Sequence, residues 1–296
     1  MSSFYLIQQL CEFRCVMFLP GDYHTHSFRC NHADGHLMEY IRVAISLGLP
    51  EIGLSGHFPM CLLPPQFHRY AMDISELPNY LSTAKELQEN FKSKIQTMVA
   101  FEVDFHKPIF SQYKQALKPY LSDLDYLIGS IHGLKWKDHI IPIDSSFTLP
   151  DELSRKNNGK DTLQLSYYSD LLELVRSNFY DILGHFDVIK KLGFTTDNEE
   201  RIWESILRVL DALETSNMAV EINTSGLRKS EKELYPNKRI IKELIERKIP
   251  LVIGSDAHRP ADVGYAFEPT VHFLKKNGLK SVSKIASHER VQVPLN

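Results

Sequence analysis

Two histidines two residues apart, His24 and His26 in DYHTH, close an apolar run near the start of the chain. Alternate residues of extended backbone point to the same side, so both imidazoles face one way. A same-facing imidazole pair is a good start for a metal site. Taken alone, HxH is equally a hydrogen-bonded surface pair. Further ionisable residues recur at comparable places. His32 follows in SFRCNHADG. Later apolar runs end in LSGH (His57), FEVDF (Glu102, Asp104), GSIH (Ser130, His132), GHFD (His185, Asp187), EINTSG and GSDAH (Asp256, His258).

Seven of the thirteen histidines, His24, His26, His32, His57, His132, His185 and His258, thus fall at or just after the end of a β-rich run. A lone histidine there is usually structural. Seven together, joined by Glu102 and Asp256, point to a shared metal centre. A zinc ion takes about four ligands. Nine candidates therefore suit three ions, provided one carboxylate bridges two of them. Mixed imidazole and carboxylate donors favour zinc, iron or manganese over calcium, which wants an oxygen shell.

Other residues near these segments carry weaker signals. Arg228 in NTSGLRKS offers a guanidinium to a phosphate oxygen. The plain alternative is a solvated basic loop shared with Lys229 and Lys232. Arg29 and Arg259 are lesser phosphate-contact candidates. Asp187 reads either as a group orienting His185 or another ligand, or as a turn cap. Asp34 and Gly35 read as a helix start rather than as metal ligands.

Ligands so far apart in the chain need elements that end in one place. The β-rich runs are Val16 to Asp22, Glu51 to Ser55, Gln96 to Val103, Tyr126 to Gly129, Ile182 to Gly184, Ala219 to Ile222 and Leu251 to Ile253. Several are continuously apolar, as expected of parallel strands buried on both faces. Between them, amphipathic patterns predict helices at Gly35 to Leu47, Leu77 to Phe91, Ile109 to Tyr120, Gln164 to Ser177, Asn198 to Ser216 and Asn237 to Glu246. Asn237, after Pro236, reads as the start of the last helix. Asp197 and Glu200 read as a capping pair before the fifth.

This alternation predicts an α/β fold, as a barrel or an open sheet. An open doubly wound sheet would be expected to carry a GxGxxG loop after an early strand, and none is present. Polar residues at the strand ends favour a barrel, whose sites gather at that face. Two long connections, Phe58 to Glu76 and Gly133 to Thr162, read as binding loops or lids, or as surface decoration.

With 296 residues, 43% of them apolar, the chain can bury one large core. A single barrel domain over residues 1–296 is expected, with residues 1–18 as an N-terminal extension. Glu12 and Arg14 interrupt the apolar start, so neither a signal peptide nor a membrane span is expected. A net charge of -3 argues against nucleic acid or an anionic membrane as partner. A small phosphate substrate stays compatible with it, because bound metals reverse the local charge. Cys11, Cys15, Cys30 and Cys61 form neither a CxxC pair nor a disulfide framework, and read as reduced thiols of a cytoplasmic protein.

DYHTH, HADG, FEVDF, SIH, GHFD, INTSGLRKS and GSDAH together resemble the polymerase-and-histidinol-phosphatase (PHP) superfamily. EINTSGLRK with GSDAHRPADVGYAF resembles its histidinol-phosphatase branch more narrowly. The resemblance spans roughly Gly21 to Phe267 and implies a distorted (β/α)7 TIM-like barrel with a three-metal site at the C-terminal strand ends. It implies one metal on His24, His26, Glu102 and Asp256, and a second on Glu102, His132 and His185. The third would be held by His32, His57 and His258. The implied reaction is hydrolysis of L-histidinol phosphate to L-histidinol and phosphate by a metal-activated water. Arg228 would orient the phosphate, and His258, Asp256 or a metal-bound water are the candidates to protonate the leaving group. The alternative within this class is a phosphatase or phosphoesterase of another small metabolite on the same metals. A nuclease module would want a basic channel, which the sequence lacks. A non-catalytic metal-binding domain is a further reading, and the oligomeric state is undetermined.

Overall fold

The structure is a computed structural model that describes residues 19–137, 139–143, 157–193 and 198–295. Six strands form one parallel sheet, in the order β1-β2-β3-β6-β7-β8. They are β1 (Glu51–Leu54), β2 (Gln96–Asp104), β3 (Tyr126–Ser130), β6 (Ile182–Leu183), β7 (Ala219–Asn223) and β8 (Leu251–Gly254). The sheet curls until its two edges meet a common segment, residues 22–26. Asp22 bridges Ile52 of β1, and Thr25 bridges Ala257 beyond β8, both in the parallel sense. Asp22 also accepts the Ser255 and Gly264 amides through its carboxylate, each at 2.9 Å. Seven parallel segments therefore make a distorted (β/α)7 TIM-like barrel.

Side-chain alternation sorts each strand into two faces. Met98 and Ala100 of β2, Tyr126 and Ile128 of β3, Ala219 of β7 and Val252 of β8 form an inner cluster with Tyr23. Val99, Phe101, Val103, Leu127, Val220, Ile222, Leu251 and Ile253 belong to the larger core beneath the helices. Continuing the inner face by steps of two leads to Glu102 on β2, to Glu221 and Asn223 on β7, and to Gly254 and Asp256 at the end of β8. The barrel interior is thus apolar at its base and polar at its mouth.

The covering helices are α1 (Leu37–Ser46), α2 (Leu77–Phe91), α3 (Phe110–Leu117), α4 (Asn157–Arg176), α5 (Glu199–Glu214), α6 (Lys238–Glu246) and α7 (Phe267–Lys276). Asn237 caps α6 as expected, accepting the Arg239 and Ile240 amides. None of the described helices is long and apolar enough to cross a membrane.

Several expected boundaries move. Pairing of the first segment begins at Asp22 rather than ending there, and residues 16–18 lie outside the described residues, as does the expected extension 1–18. Asp34 does not start α1. The N-cap is His36, whose amide is accepted by Glu39, while Gly35 takes a left-handed φ of 77°. Asp197 also lies outside the described residues, and Asn198 caps α5 by accepting the Arg201 amide. The second long connection contains a hairpin, β4 (Gly133–Trp136) with β5 (His139–Pro142). A C-terminal hairpin, β9 (Ser281–Ala286) with β10 (Glu289–Pro294), was not expected, nor was α7. Ile285 of β9 joins the inner cluster and stops the base of the barrel.

Candidate metal centre

Each of the nine expected ligands lies at the polar mouth. His24 and His26 project from the closing segment, Glu102 from the inner face of β2, and His57, His132, His185 and Asp256 from the turns just after their strands. His24, His26, His57, Glu102, His132 and His185 are buried, and His258 and His32 are nearer the surface.

Glu102 is the centre of the cluster. Its Oε2 stands 3.2 Å from His24 Nε2, 3.5 Å from His26 Nε2 and 3.0 Å from His57 Nδ1. Its Oε1 faces His185 Nε2 at 2.9 Å and His132 Nε2 at 3.5 Å. One carboxylate therefore turns its two oxygens toward two different imidazole groups, the arrangement a bridging ligand requires. Asp256 Oδ1 lies 3.3 Å from His26 Nε2 and 3.4 Å from His258 Nδ1, and His258 Nε2 meets His32 Nε2 at 2.8 Å.

The fit to metal ions can be read from groups that have no other satisfaction. His24 Nε2, His26 Nε2 and His57 Nδ1 are buried without a hydrogen-bond partner. Such groups are costly unless something binds them. Three donor sets, His24 with His26 and Glu102, His57 with Glu102 and His132, and His26 with His57 and His258, each bring their ligand atoms within 4.8 Å of one another.

Charge states agree with this reading. Burial opposes an ionised Glu102, but the imidazoles of His57, His24 and His132 outweigh it and hold its pKa well below the usual range. Asp256 is lowered in the same way against burial, by His24, His26 and His258. Burial, with His258 and His57 beside it, holds His26 well below the ordinary imidazole value. Ionised carboxylates and neutral imidazoles are the forms that bind metals. His24 is different. Burial pulls it down, yet Glu221, Glu102 and Asp256 together hold its pKa well above the usual range.

A supporting layer lies behind the ligands. Asp104 accepts the His132 amide at 3.0 Å and faces His132 Nδ1 at 3.1 Å. Cys30, whose thiol is pushed up to about 12 by burial, accepts the His57 amide through Sγ and lies 3.5 Å from His26 Nδ1. Glu221 is almost wholly buried, faces His24 Nδ1 at 2.8 Å and accepts the His185 amide at 2.8 Å. Sequence reasoning missed Glu221, because it sits inside an apolar run rather than at its end. The usable signal was a carboxylate on the inner face of a strand buried on both sides. Asp187, read either as a group orienting His185 or another ligand or as a turn cap, accepts the Asn237 amide and pairs with Lys190.

The cluster opens into a cavity of about 240 Å³ whose rim includes Tyr70, Val188, Lys191, Ser225, Lys229 and Tyr235. Tyr70 and Val188 add apolar surface to a mouth that also presents ammonium groups. Arg228 sits behind this rim. It donates to the carbonyls of Ser255 at 2.8 Å and Asp256 at 3.1 Å, and its Nη1 is buried with no partner among the described contacts. Arg29, half-buried, turns to Asn79, and the exposed Arg259 to Asp262.

Comparison with known proteins gives a consistent result. The model of the PHP domain matches residues 22–225. A probable histidinol-phosphatase of Deinococcus radiodurans is 30% identical over 265 residues, covering 88% of this chain and 95% of that protein. The histidinol-phosphatase of Bacillus subtilis is 28% identical over 261 residues, covering 83% and 96%. The same fold is seen in histidinol phosphate phosphatase from Lactococcus lactis, solved in complex with zinc, L-histidinol and phosphate. The TM-score is 0.75 at 21% identity, over 92% of this chain and 98% of that one.

Proposed function

The chain belongs to the PHP domain family and carries a multi-metal phosphatase site, and we propose that its substrate is L-histidinol phosphate, cleaved to L-histidinol and inorganic phosphate. The observation that carries the substrate class is the similarity, along nearly the whole chain, to proteins described as histidinol-phosphatases. Geometry supports the chemistry, through the placing of Glu102 between two imidazole groups.

In this reading His24, His26, Glu102 and Asp256 would hold one divalent ion, and Glu102, His132 and His185 a second. His32, His57 and His258 would hold the third. His57 stands at the junction, since its Nδ1 also lies 3.0 Å from Glu102 Oε2. Zinc, iron and manganese are the ions suited to these donors. When bound, such ions supply Lewis acidity, neutralising phosphoryl charge and lowering the pKa of a water that attacks phosphorus.

The protein's own groups do the rest. Lys191 and Lys229 at the rim attract and orient the phosphate dianion. Arg228 acts from behind the rim, where its guanidinium holds the Ser255 and Asp256 carbonyls and adds positive charge near the phosphate. During hydrolysis the attacking water gives up a proton and the departing alkoxide takes one. In this reading His258, backed by the ionised Asp256 at 3.4 Å beside the cavity, holds that proton. Burial of the cluster excludes bulk water and strengthens each of these charge interactions.

The test is kcat/KM of the metal-loaded enzyme across small phosphate monoesters. Preference for histidinol phosphate by about two orders of magnitude or more is expected of a site that reads the substrate's imidazole and ammonium. A flat profile, or preference for another monoester, would leave the phosphatase and remove this substrate.

A further inference from the structure

We infer that Glu221 fixes the tautomer of His24, and so decides whether the first metal ion can bind. This rests on the metal-centre reading of the same site and extends it to a residue outside the ligand set.

Glu221 has three close polar neighbours. His24 Nδ1 lies 2.8 Å from Oε1, while the His185 amide at 2.8 Å and Asn223 Nδ2 at 3.0 Å donate to Oε2. Asn223 cannot be turned around, because its Oδ1 already accepts the Ser225 amide at 2.9 Å. A backbone amide has no alternative role either. Oε2 must therefore be an acceptor twice over. Oε1 is the oxygen left to face His24 Nδ1, and in the neutral ring of the metal-bound state it accepts the proton carried by that nitrogen. The Nε2 lone pair is then the one aimed at Glu102 and Asp256, and it is the nitrogen left buried without a hydrogen bond.

Space at the site is shaped for this contact. A Cβ on Gly254 would overlap Glu221 Oε1 and come within 2.8 Å of His24 Cβ. The glycine before Ser255 and Asp256 is therefore needed for the carboxylate to reach the ring. Glu221 also acts on both proposed ions that share Glu102, touching a ring of one set and the backbone of His185 in the other.

Glu221→Gln keeps the shape of the side chain and changes its hydrogen-bonding sense. Its amide oxygen must stay at the Oε2 position, where two donors point. The amide NH2 then faces His24 Nδ1, which must become an acceptor, and the ring proton moves to Nε2. Shape and volume are kept, while the ligand lone pair is lost.

The experiment is zinc titration of the Glu221→Gln and wild-type proteins against a chelating dye, with metal content by elemental analysis and folding checked by circular dichroism. We expect the variant to lose one equivalent, or to bind it about 10–100-fold more weakly. Equal stoichiometry and affinity overturns the inference. Because the variant could fail to fold, the wild-type zinc protein is also read by 15N NMR of its histidines. A proton on His24 Nδ1 with zinc at Nε2 is expected, and zinc at Nδ1 overturns the inference independently. If wild-type protein binds no zinc, iron or manganese at all, the metal-centre reading itself fails, an outcome distinct from equal binding by both proteins.

Discussion

Arg228 and Asp256 are joined through the backbone. The guanidinium donates to the Asp256 carbonyl at 3.1 Å and to the preceding Ser255 carbonyl, while Asp256 itself holds a left-handed φ of 50°. That conformation costs roughly 1–2 kcal/mol for a residue with a Cβ. Two charge-assisted hydrogen bonds offset it and hold the Asp256 carboxylate toward His26 and His24. The Arg228 guanidinium also packs 5.1 Å from the Tyr265 ring centroid.

Arg228→Ala is therefore expected to lower stability by about 1–3 kcal/mol, because two partly buried carbonyls lose their donor. It should also lower kcat more than a surface arginine would. Arg228→Lys keeps the charge but loses the planar fork, so it should recover only part of both. Urea denaturation and steady-state kinetics of the two variants check this. Wild-type stability in Arg228→Ala would dismiss the clamp.

Removal of metal should abolish phosphatase activity and lower the melting temperature together. Saturation at a hundred times Kd contributes about 2.7 kcal/mol to the folded state. Dialysis against a chelator, then titration with zinc, iron(II) or manganese, should restore both. Glu102→Gln should reduce activity by about 10²–10³-fold or more and weaken binding in two ion sets, whereas His32→Ala should affect one. Elemental analysis distinguishes them.

Much of this centre was legible in the sequence for a physical reason. A parallel strand buried on both faces carries most of its ionisable groups at its end, so His57, His132, His185 and Asp256 stood out against apolar runs. Glu102 stood out too, being followed by Asp104. Glu221 did not, since only the partition of β7 into inner and outer faces shows that it points into the barrel. Of the first run, Val16 to Asp22, only residues 19–22 are described, and the pairing seen among the described residues lies in the polar 22–26. Which oxygen of Glu102 faces which imidazole depends on barrel closure, and no spacing in the chain encodes it.

The C-terminal hairpin makes a separable contribution. Ile285 is buried in the inner cluster with Tyr23, Met98 and Tyr126, and its amide donates to Tyr23 Oη at 3.1 Å. Ile285→Ala leaves a cavity at the base of the barrel and should cost about 2–5 kcal/mol. The candidate metal ligands lie at the opposite end. Below the variant's melting temperature, kcat and zinc stoichiometry should stay close to wild type. A stability loss under about 1 kcal/mol would mean that the plug is not packed as described.

The same hairpin carries a pH-dependent latch. His288 faces Asp181 Oδ2 through Nδ1 at 2.9 Å and the Leu121 carbonyl through Nε2 at 3.2 Å, so both ring nitrogens meet acceptors and the imidazolium satisfies both. The Asp181 hydrogen bond, against partial burial, raises the His288 pKa above its ordinary value. A raised folded pKa means that the folded protein binds the proton more tightly than the unfolded chain. The contribution is fully present below the unfolded value, near 6.5, and is lost as pH rises through the folded one. The ring is 38% exposed, so solvent screening limits the effect to about 0.5 kcal/mol or less. His288→Gln should thus be less stable than wild type at pH 6, and the difference should shrink by pH 9. Parallel denaturation curves at the two pH values measure it, and a difference that grows with pH would reverse the assignment.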